Sequence, residues 1–256
     1  MPNAFASTRA EDRSPDPGTR PQNRLLGCLR PEDYALLSPH FEWRERRAND
    51  LLYSPGDNVE RVYFPCGPSL VAYLVANEDG RDLETALVGR EGAVGGIVSF
   101  GNLPAYCRIA VKFPGRFVEM RLTALNEAKT KSPTLRHLFA RYADCLLAQV
   151  FQSTACNAVH SIEQRTAKWI LAAMERTGDH QVPLTHEQLA AMLGVGRSYA
   201  TRVLLTFKAE NVLETRRGAL VVRNLEALKA KACLCNEAVK NHFEVVLEGV
   251  YPADLL

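Results

Sequence analysis

The segment from Pro183 to Arg223 constrains the fold most, because it carries a dense series of helix start and stop signals. Thr185 and Gln188 stand at the spacing of a capping box, in which each side chain satisfies a backbone donor at a helix start. Gly194 supplies the left-handed conformation that a helix C-cap prefers, and Gly196 is suited to cap a second helix. These signals predict two short helices joined by a tight turn.

The second of these helices has an apolar face and a polar face. The inward set is Ala200, Val203, Leu204 and Phe207, and the outward set is Arg197, Ser198, Thr201 and Arg202. Two β-rich runs then flank the basic turn Arg216-Arg217-Gly218, which predicts a hairpin. This order is typical of a winged helix-turn-helix, which places one helix in the DNA major groove. The alternative is an ordinary helical hairpin with a solvated polar face, which requires all these signals to coincide by chance.

Positive charge is concentrated in the same region. The whole chain has a formal net charge of +2, whereas residues 183–231 contain eight Lys or Arg and four Asp or Glu, a local net charge of +4. Such an excess of cations suits a surface that faces phosphate groups. A solvated basic face has the same composition, so charge alone does not decide between the two.

Upstream of this segment, short β-rich runs alternate with turn residues. The runs are 50–53, 59–64, 70–75, 84–88, 108–113 and 117–121, and one of the turns is Ser54-Pro55-Gly56-Asp57. Strands at this density predict an antiparallel sandwich, barrel or jelly roll.

A long helix is predicted from Pro133 to about Asn157. Its apolar seam runs at three- and four-residue steps through Leu135, Leu138, Phe139, Tyr142, Leu146 and Val150. A seam on a helix between two domains packs against its own domain or pairs with the same helix of a second subunit. We adopt pairing, and therefore predict a dimerisation helix.

Two more helices complete the prediction. One covers Ile162–Arg176, and a final one, capped by Asn224, carries Leu225, Leu228, Ala232, Val239 and Phe243. The fold class is therefore α+β. We divide the chain into a flexible tail (1–22), a β-roll like a jelly roll (23–121), a central dimerisation helix (122–159) and a winged helix-turn-helix domain with a C-terminal helix (160–256).

A β-roll, a long central helix and a C-terminal winged helix-turn-helix together resemble the Crp/Fnr superfamily of bacterial transcription regulators. The similarity spans about residues 24–235 and is strongest at 161–171 and 184–202. Residues 54–57 resemble an early roll turn of the family, and 89–92 its glycine-rich segment. The resemblance implies a homodimer with a cyclic-nucleotide-binding-like sensor domain, bound to a near-palindromic site on double-stranded DNA. The N-terminal segment lacks the apolar core of a signal peptide, so we expect a cytoplasmic protein. RNA polymerase is a further partner if the protein is an activator.

The resemblance also assigns residues to the DNA interface. The outward residues of the recognition helix would read base edges, and they are Arg197, Ser198, Thr201 and Arg202. The residues implied at phosphates are Thr185, His186, Arg216 and Arg217. Arg202 is the best candidate for guanine, because a guanidinium group contacts O6 and N7 together. Common members of the family carry glutamate where this chain has Ser198, so its half-site should differ or be less stringent there.

The sensor domain departs from the members that bind cyclic AMP. In those members a glutamate holds the ribose and an arginine holds the cyclic phosphate. The corresponding segment here is a degenerate effector cassette, comprising Gly92, Gly95, Gly96, Ala105, Tyr106 and Arg108, with Gly96 at the glutamate position and Ala105 at the arginine position. A phosphate there would lack compensating donors, and Arg90 and Arg108 are the nearby cations. We therefore predict no control by cyclic AMP in the usual mode, and leave the effector unknown.

Other chemistries find less support. A metal-dependent jelly-roll enzyme needs converging histidines, and the chain has none between Phe41 and Arg121, so no enzyme activity is predicted. Seven cysteines at scattered spacings, with no CxxC motif, predict reduced thiols without a metal or cofactor. Cys233 and Cys235 on one helix would point in different directions. No apolar run has the length of a membrane span, so no membrane partner is expected. The remaining alternative is a ligand-binding regulatory module that acts through protein partners.

Overall fold

The computed structural model describes residues 20–78, 80, 82–101 and 103–248. Most of the tail predicted at 1–22, and residues 249–256 of the predicted C-terminal domain, therefore lie outside the described residues. No helix in the described part of the chain is long and apolar enough to cross a membrane.

The N-terminal domain is an antiparallel β-roll preceded by two short helices. These elements are α1 (Arg24–Gly27), α2 (Pro31–Leu37), β1 (Glu42–Arg46), β2 (Leu51–Tyr53), β3 (Arg61–Pro65), β4 (Leu70–Ala76), β5 (Asp82–Val88), β6 (Arg108–Phe113) and β7 (Gly115–Arg121). One sheet has the order β1-β7-β3 and the other β2-β6-β4-β5. The six predicted runs are confirmed as strands, with shifted ends.

Strand β1 was not predicted, because its sequence Glu-Trp-Arg-Glu-Arg lacks an apolar alternation. It is an edge strand that pairs with β7. The Arg46 guanidinium donates two hydrogen bonds to the buried Glu119 carboxylate, at 2.7 and 2.9 Å. The charges of this strand therefore satisfy a buried partner instead of facing only solvent.

Two helices follow the roll, α3 (Leu122–Lys131) and α4 (Pro133–Val159), so the interval predicted as one central helix contains a break. The break falls at Ser132, whose hydroxyl caps α4 by accepting from the Leu135 amide at 3.2 Å and donates to Asp33 at 2.6 Å. Pro133 then occupies the first turn, where a missing amide hydrogen costs nothing.

The predicted dimer seam on α4 is wrong for its first four residues. Leu135, Leu138, Phe139 and Tyr142 are at most 1% exposed and belong to the core of their own roll. The Phe139 ring meets Phe64 edge-on, at 6.4 Å between centroids. Periodicity identified the buried face of this helix correctly but assigned it to the wrong partner. Of the other two seam residues, Leu146 is half-buried and Val150 is 36% exposed.

The C-terminal domain combines helices with a small sheet. Its elements are α5 (Ile162–Thr177), β8 (Gln181–Val182), α6 (His186–Leu193), α7 (Arg197–Ala209), β9 (Leu213–Arg216), β10 (Ala219–Val222), α8 (Leu225–Lys231) and α9 (Cys235–Glu248). The sheet order is β8-β10-β9. The fold class is thus confirmed: an antiparallel roll, a long central helix and a winged helix-turn-helix.

The prediction of a single final helix is wrong, because the structure has two helices there, α8 and α9. The chain leaves the helical conformation at Ala232, with φ −80° and ψ 152°. Helix α9 then packs along α4, where the Phe243 ring lies 6.2 Å from the Tyr142 ring and Arg141 donates to the Val246 carbonyl at 2.8 Å. The end of the chain is thereby held against the central helix.

The two domains also contact each other directly. The Trp169 indole of α5 donates to the Glu84 carboxylate of β5 at 2.7 Å. Arg176 and Glu91 form a largely buried ion pair at 2.9 Å. Apolar residues of the four-stranded sheet, among them Phe113, share one core with α5. The C-terminal domain is therefore docked on the roll in this conformation.

Candidate DNA interface

Helix α6 begins and ends as its sequence predicts. The Thr185 hydroxyl accepts from the Gln188 amide at 3.2 Å, and the Gln188 side chain accepts from the Thr185 amide at 2.9 Å. Gly194 ends the helix in the left-handed region, with φ 69°. Two buried leucines of α6, Leu189 and Leu193, fix its inner face against α7 and the roll. Helix α6 therefore holds α7 at a defined angle.

Helix α7 presents Arg197, Ser198 and Arg202 to solvent, while its apolar residues are buried in the domain core. Gly196 gives its N-terminus no side-chain cap, so the first backbone amides of α7 remain donors on this face. Amides at a helix N-terminus favour phosphate. The exposed cations and these amides make this face of α7 suited to a polyanion.

Thr201 and His186 are joined to each other. The His186 Nδ1 atom and the Thr201 hydroxyl share a hydrogen bond of 3.1 Å, and both residues are half-buried. Sequence reasoning placed Thr201 at a base and His186 at a phosphate. In the structure the contact makes them a pair that links the first turn of α6 to the middle of α7.

Tyr199 is a residue of this face that sequence reasoning missed. Its side chain is 41% exposed, and the Arg202 guanidinium lies over the ring, 5.1 Å from the centroid. A ring beneath a guanidinium restricts its orientation and leaves the donor edges free. The available signal was the spacing, since an aromatic residue three positions before an arginine lies on the same side of a helix.

The wing is a tight hairpin between β9 and β10. Gly218 has φ 74°, which the turn requires. Arg216 and Arg217 are exposed at its tip. The Arg216 Nε atom lies 3.6 Å from Glu214, which also pairs with Arg223, and these contacts lower the pKa of the Glu214 carboxyl. One of the two predicted phosphate-binding arginines is thus partly neutralised.

The degenerate cassette is filled by the protein itself. A Cβ atom on Gly92 would overlap the Tyr142 hydroxyl, which donates to the Ala93 carbonyl at 3.1 Å. A Cβ atom on Gly96 would lie 2.5 Å from the Leu122 side chain. No side chain fits at the position where a cyclic-AMP cassette carries its glutamate, unless Leu122 moves.

The rest of the cassette is equally unlike a phosphate site. Gly95 adopts φ 97° against the Arg61 carbonyl, Ala105 is buried, and Tyr106 is 86% exposed. Arg108 pairs with Asp82 at 2.6 Å. The structure does not bring these residues together around a space for a ligand.

Arg90, the other cation near the cassette in the sequence, points away from the cassette and toward the end of α5. Its guanidinium donates to the Glu175 carbonyl at 3.3 Å and lies beside Gly178, so it contacts the end of α5. It forms part of the domain contact instead of the cassette.

The cysteines are less scattered in space than in sequence. Cys156, Cys233 and Cys235 are buried together, and His160 lies beside them. The scattered spacing in the sequence therefore gave no indication of this group. The prediction assumed that Cys233 and Cys235 lie on one helix, whereas they lie where the chain turns from α8 into α9.

Comparisons with known proteins agree with this architecture. The family described as the Crp-like helix-turn-helix domain matches residues 164–231. A search of curated proteins gives no match.

Solved structures share the fold over most of the chain. The c-di-GMP responsive global regulator CLP from Xanthomonas campestris has 17% identity and a TM-score of 0.61, covering 75% of this chain and 99% of its own. FixK2 from Bradyrhizobium japonicum has 16% identity and a TM-score of 0.62, covering 75% of this chain and 98% of its own. A CRP-family transcriptional regulator from Thermus thermophilus has 18% identity and a TM-score of 0.62, covering 73% of this chain and 95% of its own. The chain therefore carries a Crp-like helix-turn-helix domain at residues 164–231, and it shares the fold of these solved transcriptional regulators.

Proposed function

We propose that the protein is a cytoplasmic homodimer that binds a near-palindromic DNA site through α7 and regulates transcription without cyclic AMP in the usual mode. One observation carries the proposal: α7 exposes Arg197, Ser198 and Arg202 between an uncapped helix N-terminus and a basic wing. Two such helices on one face of DNA lie about 34 Å apart, so a dimer reads two half-sites.

Arg202 is the main base-reading residue in this proposal. Its guanidinium group offers two parallel donors, which match the O6 and N7 acceptors of guanine. Tyr199 supports it from beneath, at 5.1 Å. Ser198 donates or accepts with little preference, so the base opposite it is weakly selected. Arg197 reads a base or contacts a phosphate, and Arg217 contacts a phosphate, which positions the helix without specifying sequence.

The dimer forms through the outer face of α4 in our proposal. Leu147 is 50% exposed and Phe151 is 64% exposed, on the side of the helix opposite the buried seam. Ala140 and Ala158 extend this exposed stripe at heptad-like spacing. Large apolar side chains in a row on a long helix favour burial against a partner. A near-palindromic site would need a second copy of the chain, which would present the same face of α4.

The filled cassette supports control by another route. Gly92 and Gly96 are packed against Tyr142 and Leu122, so cyclic AMP would have to displace core side chains. The Xanthomonas campestris regulator CLP is described as responsive to c-di-GMP. Both nucleotides therefore belong in the binding test.

Selection of bound fragments from random double-stranded DNA tests the proposal, with and without cyclic AMP or c-di-GMP. We expect a palindromic motif that cyclic AMP does not change. Arg44→Ala is the control, because it removes an exposed cation from β1 of the roll, outside the proposed DNA interface. It should select the same motif as the wild type. No enriched motif would contradict DNA recognition and would favour a module that acts through protein partners. A motif that requires cyclic AMP would contradict the proposed mode of control.

Sedimentation of the Leu147→Asp/Phe151→Asp variant tests the dimer. We expect a dimeric wild type and a monomeric variant, because two charges would be buried at the interface. Val245→Asp is the matched control, since Val245 is 71% exposed on α9. A variant that remains dimeric would show that another surface joins the subunits.

A further inference from the structure

Four metal-ligating side chains meet at the C-terminal end of α4. They are Cys156, His160, Cys233 and Cys235, and their ligand atoms all lie within 4.8 Å of one another. The Cys156 and Cys233 sulfurs are 3.6 Å apart, as are the Cys235 sulfur and His160 Nδ1. The three cysteines are buried and His160 is half-buried.

Two distant parts of the chain supply these ligands. Cys156 lies in the last turn of α4, and His160 is the C-cap residue of that helix, so the two are one turn apart on the same side of its end. Cys233 lies between α8 and α9, and Cys235 is the first residue of α9. The break at Ala232 turns both thiols toward α4, which a continuous helix would not do.

The separations match a tetrahedral ion. Zinc binds sulfur at about 2.3 Å and imidazole nitrogen at about 2.0 Å, which places tetrahedral ligand atoms about 3.6–3.8 Å apart. Two of the separations are 3.6 Å and the largest is below 4.8 Å, so small side-chain movements complete the tetrahedron. A cluster of several irons would need wider spacing, because each ligand then binds a different iron.

The surroundings also suit a bound ion. The Gln152 side chain donates to the Cys235 sulfur at 3.1 Å, an outer-sphere contact of the kind that orients a thiolate ligand. A cleft of about 460 Å³, lined by His160, Cys233 and Cys235, leads from solvent to the group. The group therefore has both a supporting donor and an entry path.

We propose that Cys156, His160, Cys233 and Cys235 bind one Zn²⁺ ion, which ties the end of the central helix to the segment between α8 and α9. Three thiolates and one imidazole form a closed set with no open coordination position, which is the composition of a structural zinc site. Binding releases the thiol protons to solvent and forms three Zn–S bonds and one Zn–N bond. The ion would fix the DNA-binding domain to α4 at a point outside the recognition helix.

Metal analysis of the full chain, purified anaerobically with a thiol reductant, tests the site. We expect one zinc per chain by mass spectrometry. After removal by a chelator, titration with Co²⁺ should give the visible absorption of a tetrahedral site and a thiolate-to-cobalt charge-transfer band, both abolished by added Zn²⁺.

The variants Cys156→Ser, His160→Ala and Cys233→Ser should bind Co²⁺ at least about 100-fold more weakly, since each removes a direct ligand. Cys28→Ser is the matched control, because Cys28 is an exposed thiol outside the group, and it should bind as the wild type does. Circular dichroism checks that each variant is folded. If one is not, the wild-type cobalt spectrum still decides, because it reports thiolate coordination directly.

Three results would overturn the proposal: no uptake of zinc or cobalt by the reduced wild type, equal loss of metal in Cys28→Ser, or several irons per chain. If Cys156 and Cys233 form a disulfide under oxidising conditions, and the reduced protein still takes up no metal, the first of these results applies. None of the readouts involves DNA, so the metal site and the proposed DNA recognition succeed or fail separately.

Discussion

Helices α4 and α7 are both amphipathic, yet their outer faces differ. The outer face of α7 is polar and basic, with Arg197 and Arg202 exposed. That of α4 retains apolar side chains, among them Leu147 and Phe151. The contrast shows that helical periodicity identifies which face is buried, whereas the partner of that face depends on which elements lie nearby. On α4, the stronger stripe packs against the roll of the same chain, and the weaker one is exposed, where we propose that a second copy binds.

The largest effect is expected on the inner face of α4. Leu138→Ala should reduce the free energy of unfolding by about 3 kcal/mol, because Leu138 is fully buried and its removal leaves a cavity. Leu147→Ala, on the outer face, should cost less than about 1 kcal/mol in the monomer. Urea denaturation of both variants, at a protein concentration low enough to keep the chains monomeric, measures the difference. Equal losses would remove the distinction between the two faces.

Substitution of a glycine tests how tightly that inner face is fixed. Gly92→Ala should cost about 2 kcal/mol, because the new methyl group overlaps the Tyr142 hydroxyl and α4 has to shift. Gly218→Ala at the wing meets no neighbouring atom and should cost about 1 kcal/mol, for left-handed strain alone. The same denaturation experiment compares them. A roll that accepts Gly92→Ala without loss would show that α4 is loosely seated.

The contact between the roll and α5 should depend on pH. Burial raises the pKa of Glu84 to about 7 from an ordinary value of 4.5, against the lowering effect of the Trp169 hydrogen bond. The folded state therefore binds a proton that the unfolded state lacks between about pH 4.5 and 7. The contribution of Glu84 to the free energy of unfolding should therefore rise as the pH falls through 7, by at most about 1.4 kcal/mol per pH unit.

Thermal unfolding between pH 8 and 6 measures this slope in the wild type and in Glu84→Gln, which carries no titrating proton. Glu84→Gln should show a smaller pH dependence. An unchanged slope would mean that the docking of the two domains does not involve protonation of Glu84.

A smaller effect is expected where α6 meets α7. Thr201→Val should cost about 1 kcal/mol or less, because it removes the hydroxyl bonded to His186 and leaves that ring nitrogen unpaired. Thr206→Val is a control on the same helix, since the Thr206 hydroxyl is exposed and bonds only the Arg202 carbonyl one turn earlier. Denaturation should separate the two variants. Equal costs would show that the pair contributes nothing specific to the angle between the helices.

Local signals explain why much of the DNA-binding domain was predictable. The capping box at Thr185, the left-handed Gly194 and the wing turn at Gly218 all act within a few residues. The six predicted strands were also indicated by patterns within a few residues of each other. Strand β1 was missed because Arg46 pairs with Glu119, a residue 73 positions away.

Long-range packing explains the errors. The partner of Tyr142 is the roll and α9, which no periodicity reveals. The group of Cys156 and Cys233 joins residues 77 positions apart, and it depends on a break at Ala232 that no proline or glycine marks. A search for cysteine and histidine one helical turn apart, as in Cys156 and His160, was the available signal.

The affinity of Arg202→Ala for DNA tests the central claim most directly. Fluorescence anisotropy should be measured on the selected palindrome and on unrelated DNA at one fixed salt concentration. We predict a loss of about tenfold or more on the palindrome, because a bidentate contact to guanine contributes about 1–3 kcal/mol, with a much smaller change on unrelated DNA. Affinity for the palindrome equal to that of the wild type would contradict the assignment of α7 as the helix that reads DNA.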